Sequence, residues 1–143
     1  MTLAYSQTVN QARLDAIETS IGPGAKLRIY TGTAPVVGGA STGTLLVEMT
    51  LNNPTTDWMA AASGAAPATS KAKLGTWSGT AVAAGTVGYF RIVPSAAAVG
   101  AAGEIQGTCA ASGADMNFDN AVIAVSQVVT VNTFTLTAGN QVA

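Results

Sequence analysis

The sequence holds one helical pattern, which ends at Gly24, and only short period-two runs after it. That switch bounds what the chain can become. In residues 8–21, Thr8 and Gln11 have the spacing of a capping box. Leu14, Ile17 and Ile21 follow at steps of three and four and share one face, which Val9 and Ala16 widen. Gly22 stands where a left-handed cap belongs, and Pro23 stops any continuation. A helix this short is marginal alone, so its apolar side must dock on something.

From residue 25 onward the pattern is that of strands. In Lys26–Tyr30, Leu27 and Ile29 point one way and the two cations the other. Thr44–Leu51 alternates again, with Leu45, Val47, Met49 and Leu51 on one face. Weaker strands are expected at 56–62 around Trp58 and at 71–81, with Leu74 and Trp77 on opposite faces. Thr86–Val93 is the strongest central strand, placing Val87, Tyr89, Arg91 and Val93 against Phe90 and Ile92. Residues 104–109 alternate, Asp119–Asn120 suits a hairpin turn, and Thr133–Thr137 directs Phe134 and Leu136 inward. Seven to nine short strands with turns at close intervals predict an all-β fold. It is expected to be an antiparallel β-sandwich, jelly-roll-like, with one short N-terminal α-helix. The arm and helix take residues 1–24 and the sandwich 25–143, in one compact domain.

Composition narrows the partners. Charged residues are 9% of the chain and the formal net charge is -1. Ala, Gly, Ser and Thr must therefore cover much of the surface, as in a protein that lies against other protein. No basic cluster suits phosphate, so neither nucleic acid nor an anionic membrane is an expected partner. No run reaches membrane-spanning length. The first residues, Met1 to Tyr5, lack the basic and apolar regions of a signal peptide. Cys109 is the single cysteine, which precludes an intrachain disulfide and reads as a small buried hydrophobe.

Chemistry is hard to find. There is no histidine, hence neither the commonest general base nor the commonest metal ligand. Ser70 and Lys71 are neighbours in an extended run and should diverge. Asp115 and Asp119 read as turn residues. With Asn117 and Asn120 they make an oxygen-rich stretch that lacks the glycine and glutamate of a calcium-binding EF-hand loop. Gly38–Gly43 is glycine-rich but has neither a lysine nor a helix after it, so it reads as a mobile loop and not a phosphate cradle. Trp58 and Trp77 could fill the core or stand exposed as anchors. The chain is expected to be no enzyme and to carry no cofactor or metal.

Several runs together carry a resemblance: Gln11–Ile17, Lys26–Gly32, Gly88–Ile92, Ile105–Thr108 and Phe134–Asn140. In this order they resemble the capsid cement, or head decoration, proteins of tailed bacteriophages. The resemblance implies a jelly-roll-like sandwich made in the host cytoplasm and carried on the outer capsid surface. There it would bind the major capsid protein, bridge its subunits and pair with itself, as a dimer more than a trimer. No site residue transfers from the family. From the residues themselves, partner contacts are expected at Thr2, Leu3, Ala4 and Tyr5 with the helix, at the Gly38–Gly39 loop, and at Trp58 and Trp77. The alternatives are a glycan- or receptor-binding module of a tail or fibre, and a tail-tube or head-completion subunit.

Overall fold

A computed structural model of the chain describes residues 3–51, 57–64, 68–101 and 104–139. One helix, α1 (Gln7–Ile21), precedes ten strands: β1 (Ala25–Tyr30), β2 (Leu45–Leu51), β3 (Thr69–Ala72), β4 (Ser78–Thr80), β5 (Gly85–Thr86), β6 (Tyr89–Val93), β7 (Ile105–Ala110), β8 (Met116–Phe118), β9 (Val122–Ile123) and β10 (Val128–Ala138). The protein is thus mostly β with a short N-terminal helix, as its patterning predicts.

Eight strands form one sheet in the order β2-β1-β6-β7-β8-β10-β3, with β4 also on β10. Long β10 holds β4 along Val128–Thr130 and β3 along Thr135–Ala138. The sheet curls into a half-barrel until β4 meets β2. Val47 and Ala81 form a bridge there, and the Val82 amide donates to the Leu46 carbonyl. Gly79 permits this closure, because a Cβ would lie 2.8 Å from the Met49 side chain and 2.9 Å from the Glu48 carbonyl. Pairing is antiparallel except between β7 and β8, whose link is tied by Asp115 accepting from the Thr108 amide and hydroxyl.

The core lies inside the curl. Leu27 and Ile29 of β1, Val47 and Met49 of β2, and Phe90 and Ile92 of β6 point into it. A register shift between Ile29 and Tyr30 lets consecutive Leu46 and Val47 both enter the core. Phe134 is buried and Leu136 packs against the same cluster, as the alternation of that strand requires.

Several expectations are corrected. The helix cap is Ser6, whose hydroxyl accepts from the Val9 amide, so Thr8 is already helical. Gln11 reaches the Ala62 carbonyl and does not close a capping box. The buried face is Asn10, Leu14, Glu18 and Ile21, whereas Val9 and Ala16 face solvent. Two polar anchors have rotated the helix away from its apolar stripe. The described part of 56–62 forms no strand of its own: Met59 makes an isolated bridge to Lys73, and the Ala60 amide donates to the Ala72 carbonyl at the end of β3. The strand expected over 71–81 is broken at Gly75, which has φ 68°, and Trp77 turns inward. Val87 joins the core because Gly88 leaves the strand line, its amide donating to the Tyr30 carbonyl. A Cβ on Gly88 would sit 1.9 Å from the Gly32 carbonyl oxygen. Asp119–Asn120 is no hairpin: β8 pairs with β10 while β9 pairs with β5. It passes the chain from one sheet to the other, with Asn120 Oδ1 accepting from the Val122 amide.

Strand directions give the half-barrel two ends. Ala25, Leu51, Val93, Ile105 and Ala138 mark one, which α1 covers. The turns at 81–88 and 119–128 form the other.

Candidate functional site

Three surfaces could act on other molecules, and each has a definite electrostatic character. The first is a cleft of about 630 Å³ between α1, residues 57–61 and β3. Its wall includes Asp15, Glu18, Asp57 and Lys71. Lys71 is buried on β3 and donates to Asp15 Oδ1 at 2.8 Å and to Glu18 Oε2 at 2.6 Å. Glu18 Oε1 accepts the amides of Trp58 and Met59 at 2.7 and 2.8 Å. Burial alone would lower the Lys71 pKa, but the hydrogen bonds it donates to Asp15 and Glu18 prevail and raise it. An amine held protonated is no nucleophile. Ser70 is its sequence neighbour, yet Lys71 is committed to the helix, so the two do not combine. This cleft is a clamp that fastens α1 to the sheet.

The second surface is the outer face of β2-β1-β6-β7. Arg28 and Arg91 stand opposite one another in register, both buried. Like charges so placed repel, and each needs its own acceptors. Arg28 binds Glu48 and the carbonyls of Ala97 and Ala98. Arg91 binds Gln106 Oε1, Ser41 Oγ and the carbonyls of Gly39 and Ala101. Two loops, 31–44 and 94–101, are thereby strapped across the sheet and joined by the Ser41 amide on the Gly100 carbonyl. The Tyr89 hydroxyl adds a bond to the Thr42 carbonyl, and Tyr89 stacks on Tyr30. So the Gly38–Gly39 loop, expected to be mobile, is fastened. Its outward side chains are Val36 and Val37, 78% and 66% exposed, with Val99 of the second loop 67% exposed. Neither 29–47 nor 92–103 contains a charged residue.

Glu48 carries the cationic side of this face. Burial raises its pKa, but hydrogen bonds from Arg28 and Lys26 outweigh that and lower it. Asp115 is lowered by the backbone and side-chain hydrogen bonds of Thr108. A depressed carboxylate stabilises the fold above its ordinary pKa, and the contribution disappears as pH falls through the folded value. Stability is therefore expected to hold from neutrality down to roughly pH 5 and to decline below about pH 4. Urea titrations across pH should show Asp115→Asn flattening that acid limb; an unchanged limb would remove Asp115 from it.

The third surface comprises the two ends. At the open end Val82, Val122, Val125 and Val128 are all at least 60% exposed. At the helix end Leu3 is 70% exposed and Val9 45%. Ala4 is exposed as well, and Tyr5 is half-buried beneath the Arg13 guanidinium, 4.9 Å from its ring centroid.

Of the expected contact residues, Leu3, Ala4 and Tyr5 lie at the surface, and Thr2 falls outside the described residues. Gly38 and Gly39 form the bend of a valine-bearing loop. Trp58 and Trp77 do not serve as surface anchors: they are 1% and 2% exposed and pack in the core, ring centroids 6.1 Å apart. Both rings fill the apolar interior, where Trp77 also packs on Phe134 at 5.6 Å between ring centroids. Asn117 and Asp115 of the oxygen-rich stretch are taken up by neighbouring protein groups: Asn117 bonds the Ala114 backbone and the Thr133 hydroxyl, and Asp115 accepts from the Thr108 amide and hydroxyl. Among the described residues no group of three or more Cys, Asp or Glu side chains could hold a metal ion. Cys109 is buried, and desolvation pushes its thiol far above the usual range.

The paired arginines were visible as strand residues, but nothing in the sequence marked their burial under two loops. Comparison with known proteins finds no matching protein family, no matching curated protein and no matching solved structure.

Proposed function

We propose that the protein is a non-enzymatic structural component of a tailed-phage virion, binding the outer capsid surface and bridging major capsid protein subunits. The observation that supports this most is the outer face, where two uncharged loops are locked on buried Arg28 and Arg91 and hold Val36, Val37 and Val99 outward. Such loops lose little entropy on docking and bring no charge of their own to desolvate. Many weak contacts then add up across a lattice, since one captured neighbour raises the effective concentration of the next. Leu3 and Ala4 extend the same character to the N-terminal segment. The protein would be made in the host cytoplasm and end on the virion.

A glycan-binding role for a tail or fibre would need a stacking platform other than Trp58 and Trp77, which lie in the core. The test is to add purified protein to particles that lack it and image them by cryo-electron microscopy. Ordered density over subunit joints, with DNA released at a higher temperature, is the expected result. A bare shell sinks the capsid reading. Removal of residues 1–5 should abolish capsid binding while leaving the circular dichroism of the domain intact.

A further inference from the structure

The four strands of the outer face carry three cations, Lys26, Arg28 and Arg91, and a single acid, Glu48. Glu48 touches two of the three: Oε1 accepts from Lys26 Nζ at 3.2 Å and Oε2 from Arg28 Nε at 2.7 Å. Its side chain is 31% exposed and open to protons, whereas that of Arg28 is 1% exposed. The other acceptors of Arg28, the carbonyls of Ala97 and Ala98, are neutral. Directly opposite stands Arg91, which bonds neutral groups alone: the Gln106 amide oxygen, the Ser41 hydroxyl and loop carbonyls. Two buried guanidiniums in register therefore depend on one countercharge. No other acid faces Glu48. Neither loop, 31–44 or 94–101, contains a charged residue, and β4, which meets β2 on its other side, is Ser78–Thr80.

The loops are tied to each other as well as to the sheet. Arg91 Nη1 binds a carbonyl in each, Gly39 at 2.7 Å and Ala101 at 3.1 Å. The Ser41 amide donates to the Gly100 carbonyl and its hydroxyl to the Ala101 carbonyl. One buried group on this face is unsatisfied. Tyr30 lies on the same side of β1 as Arg28 and stacks on Tyr89 at 5.1 Å, yet its hydroxyl has no hydrogen-bond partner among the described residues. A buried hydroxyl without a partner favours any state in which water reaches it. We propose that Glu48 is the latch of the outer face: protonating this one carboxylate releases loops 31–44 and 94–101 together and leaves the half-barrel folded. With Glu48 neutral, two facing guanidiniums are buried without a counterion, a penalty that is relieved when the loops lift and water enters. Against the effect of burial, Arg28 and Lys26 hold the Glu48 pKa below its ordinary value while the loops are closed. Opening therefore gains up to about tenfold per pH unit as pH falls from the ordinary carboxylate value toward the folded one, and levels off below it. The latch acts on the face that the capsid reading uses, but it does not rest on that reading and needs no partner for its test.

Hydrogen exchange of single amides, corrected for the intrinsic rate at each pH, separates the loops from the body. The amides of Ser41, Thr42 and Ala101 report on the loops, through their bonds to the Gly100 carbonyl, the Tyr89 hydroxyl and the Ala98 carbonyl. Those of Lys73 and Val131, bonded to the carbonyls of Phe134 and Trp77, report on the body. From neutrality to about pH 3, the three loop amides should lose protection together while the two body amides keep theirs. Glu48→Gln, the neutral isostere of the protonated acid, should show at neutrality the loop protection that wild type reaches at about pH 3, with no further change on acidification. Asp115→Asn should leave the pH of loop opening where it is in wild type. Loop protection that stays constant down to about pH 3 overturns the proposal, as does its loss together with that of the body. Opening of one loop without the other, or wild-type loop protection in Glu48→Gln at neutrality, overturns it too. So does a Glu48→Gln chain that circular dichroism shows to be unfolded, because neutralising this carboxylate is proposed to spare the body. An opening that Asp115→Asn displaces assigns the acid effect to the wrong group.

Discussion

Glu18→Ala should release α1 from the sheet and lower the unfolding free energy by about 3 kcal/mol, toward the lower end of the cost of breaking a buried ion pair. The carboxylate has three donors at once: Lys71 Nζ and the amides of Trp58 and Met59. Alanine leaves both amides without that acceptor and Lys71 with Asp15 alone. Asp15 is 57% exposed at its side chain, so the pair that survives is screened by water. The change is read in urea unfolding, and hydrogen exchange should show lost protection at residues 58 and 59. Glu18→Gln distinguishes charge from geometry. Its amide oxygen can still accept both main-chain donors, so it should recover the protection at 58 and 59 but only part of the stability. If the alanine variant unfolds within 0.5 kcal/mol of wild type, the clamp is not what fixes the helix. The Lys71 contribution has the sign of a raised base: it is fully present below the usual lysine pKa and is lost as pH climbs through the folded value. Neutral conditions leave it untouched, and alkaline unfolding should be shallower in Glu18→Ala than in wild type.

The second large effect is expected at Trp77. Trp77→Ala should cost about 3–5 kcal/mol, the range for emptying a large aromatic site in a packed core. Trp77 lies between Trp58 and Phe134, and Phe134 meets Phe90 edge-on at 5.5 Å, so four rings form one continuous layer. Its Nε1 also donates to the Leu74 carbonyl at 3.0 Å, which fixes the turn between β3 and β4. The cavity would open where β4 closes the curl against β2, and local relaxation there is limited by the backbone bonds of Ala81 and Val82. Trp77→Phe keeps most of the volume and loses the hydrogen bond, so it should cost about 1 kcal/mol. Comparable stability of the alanine and wild-type proteins in denaturant titration would contradict the core position. A glycan readout is uninformative for these residues, because neither ring reaches solvent.

What the sequence determined by itself is the set of elements dictated by near neighbours. The single helix, its stop at Gly22 and Pro23, and the alternation of β1, β2 and the end of β10 rest on periodicity and turn chemistry within a few residues. The all-β class followed from them. Only the tertiary structure decided which face is inside when both faces carry plausible residues. Asn10 and Glu18 are polar, and they were turned inward by acceptors and donors from distant segments: the Gly139 carbonyl and the amides of 58 and 59. Arg28 and Arg91 look like solvent-facing cations in an alternating strand, yet carbonyls from two long loops bury them. Trp58 and Trp77 sit in irregular segments where no period assigns a face, so their burial waited on how the sheet curls. The hairpin expected at Asp119–Asn120 failed for the same reason. A turn motif specifies a reversal of the chain, while the strand that receives it is chosen by packing against β5 and β10 across the molecule. Local propensity is a sum over neighbours in sequence. Burial of charge, strand order and the curl of the sheet depend on contacts between residues far apart, and those energies exist only once the chain has closed on itself.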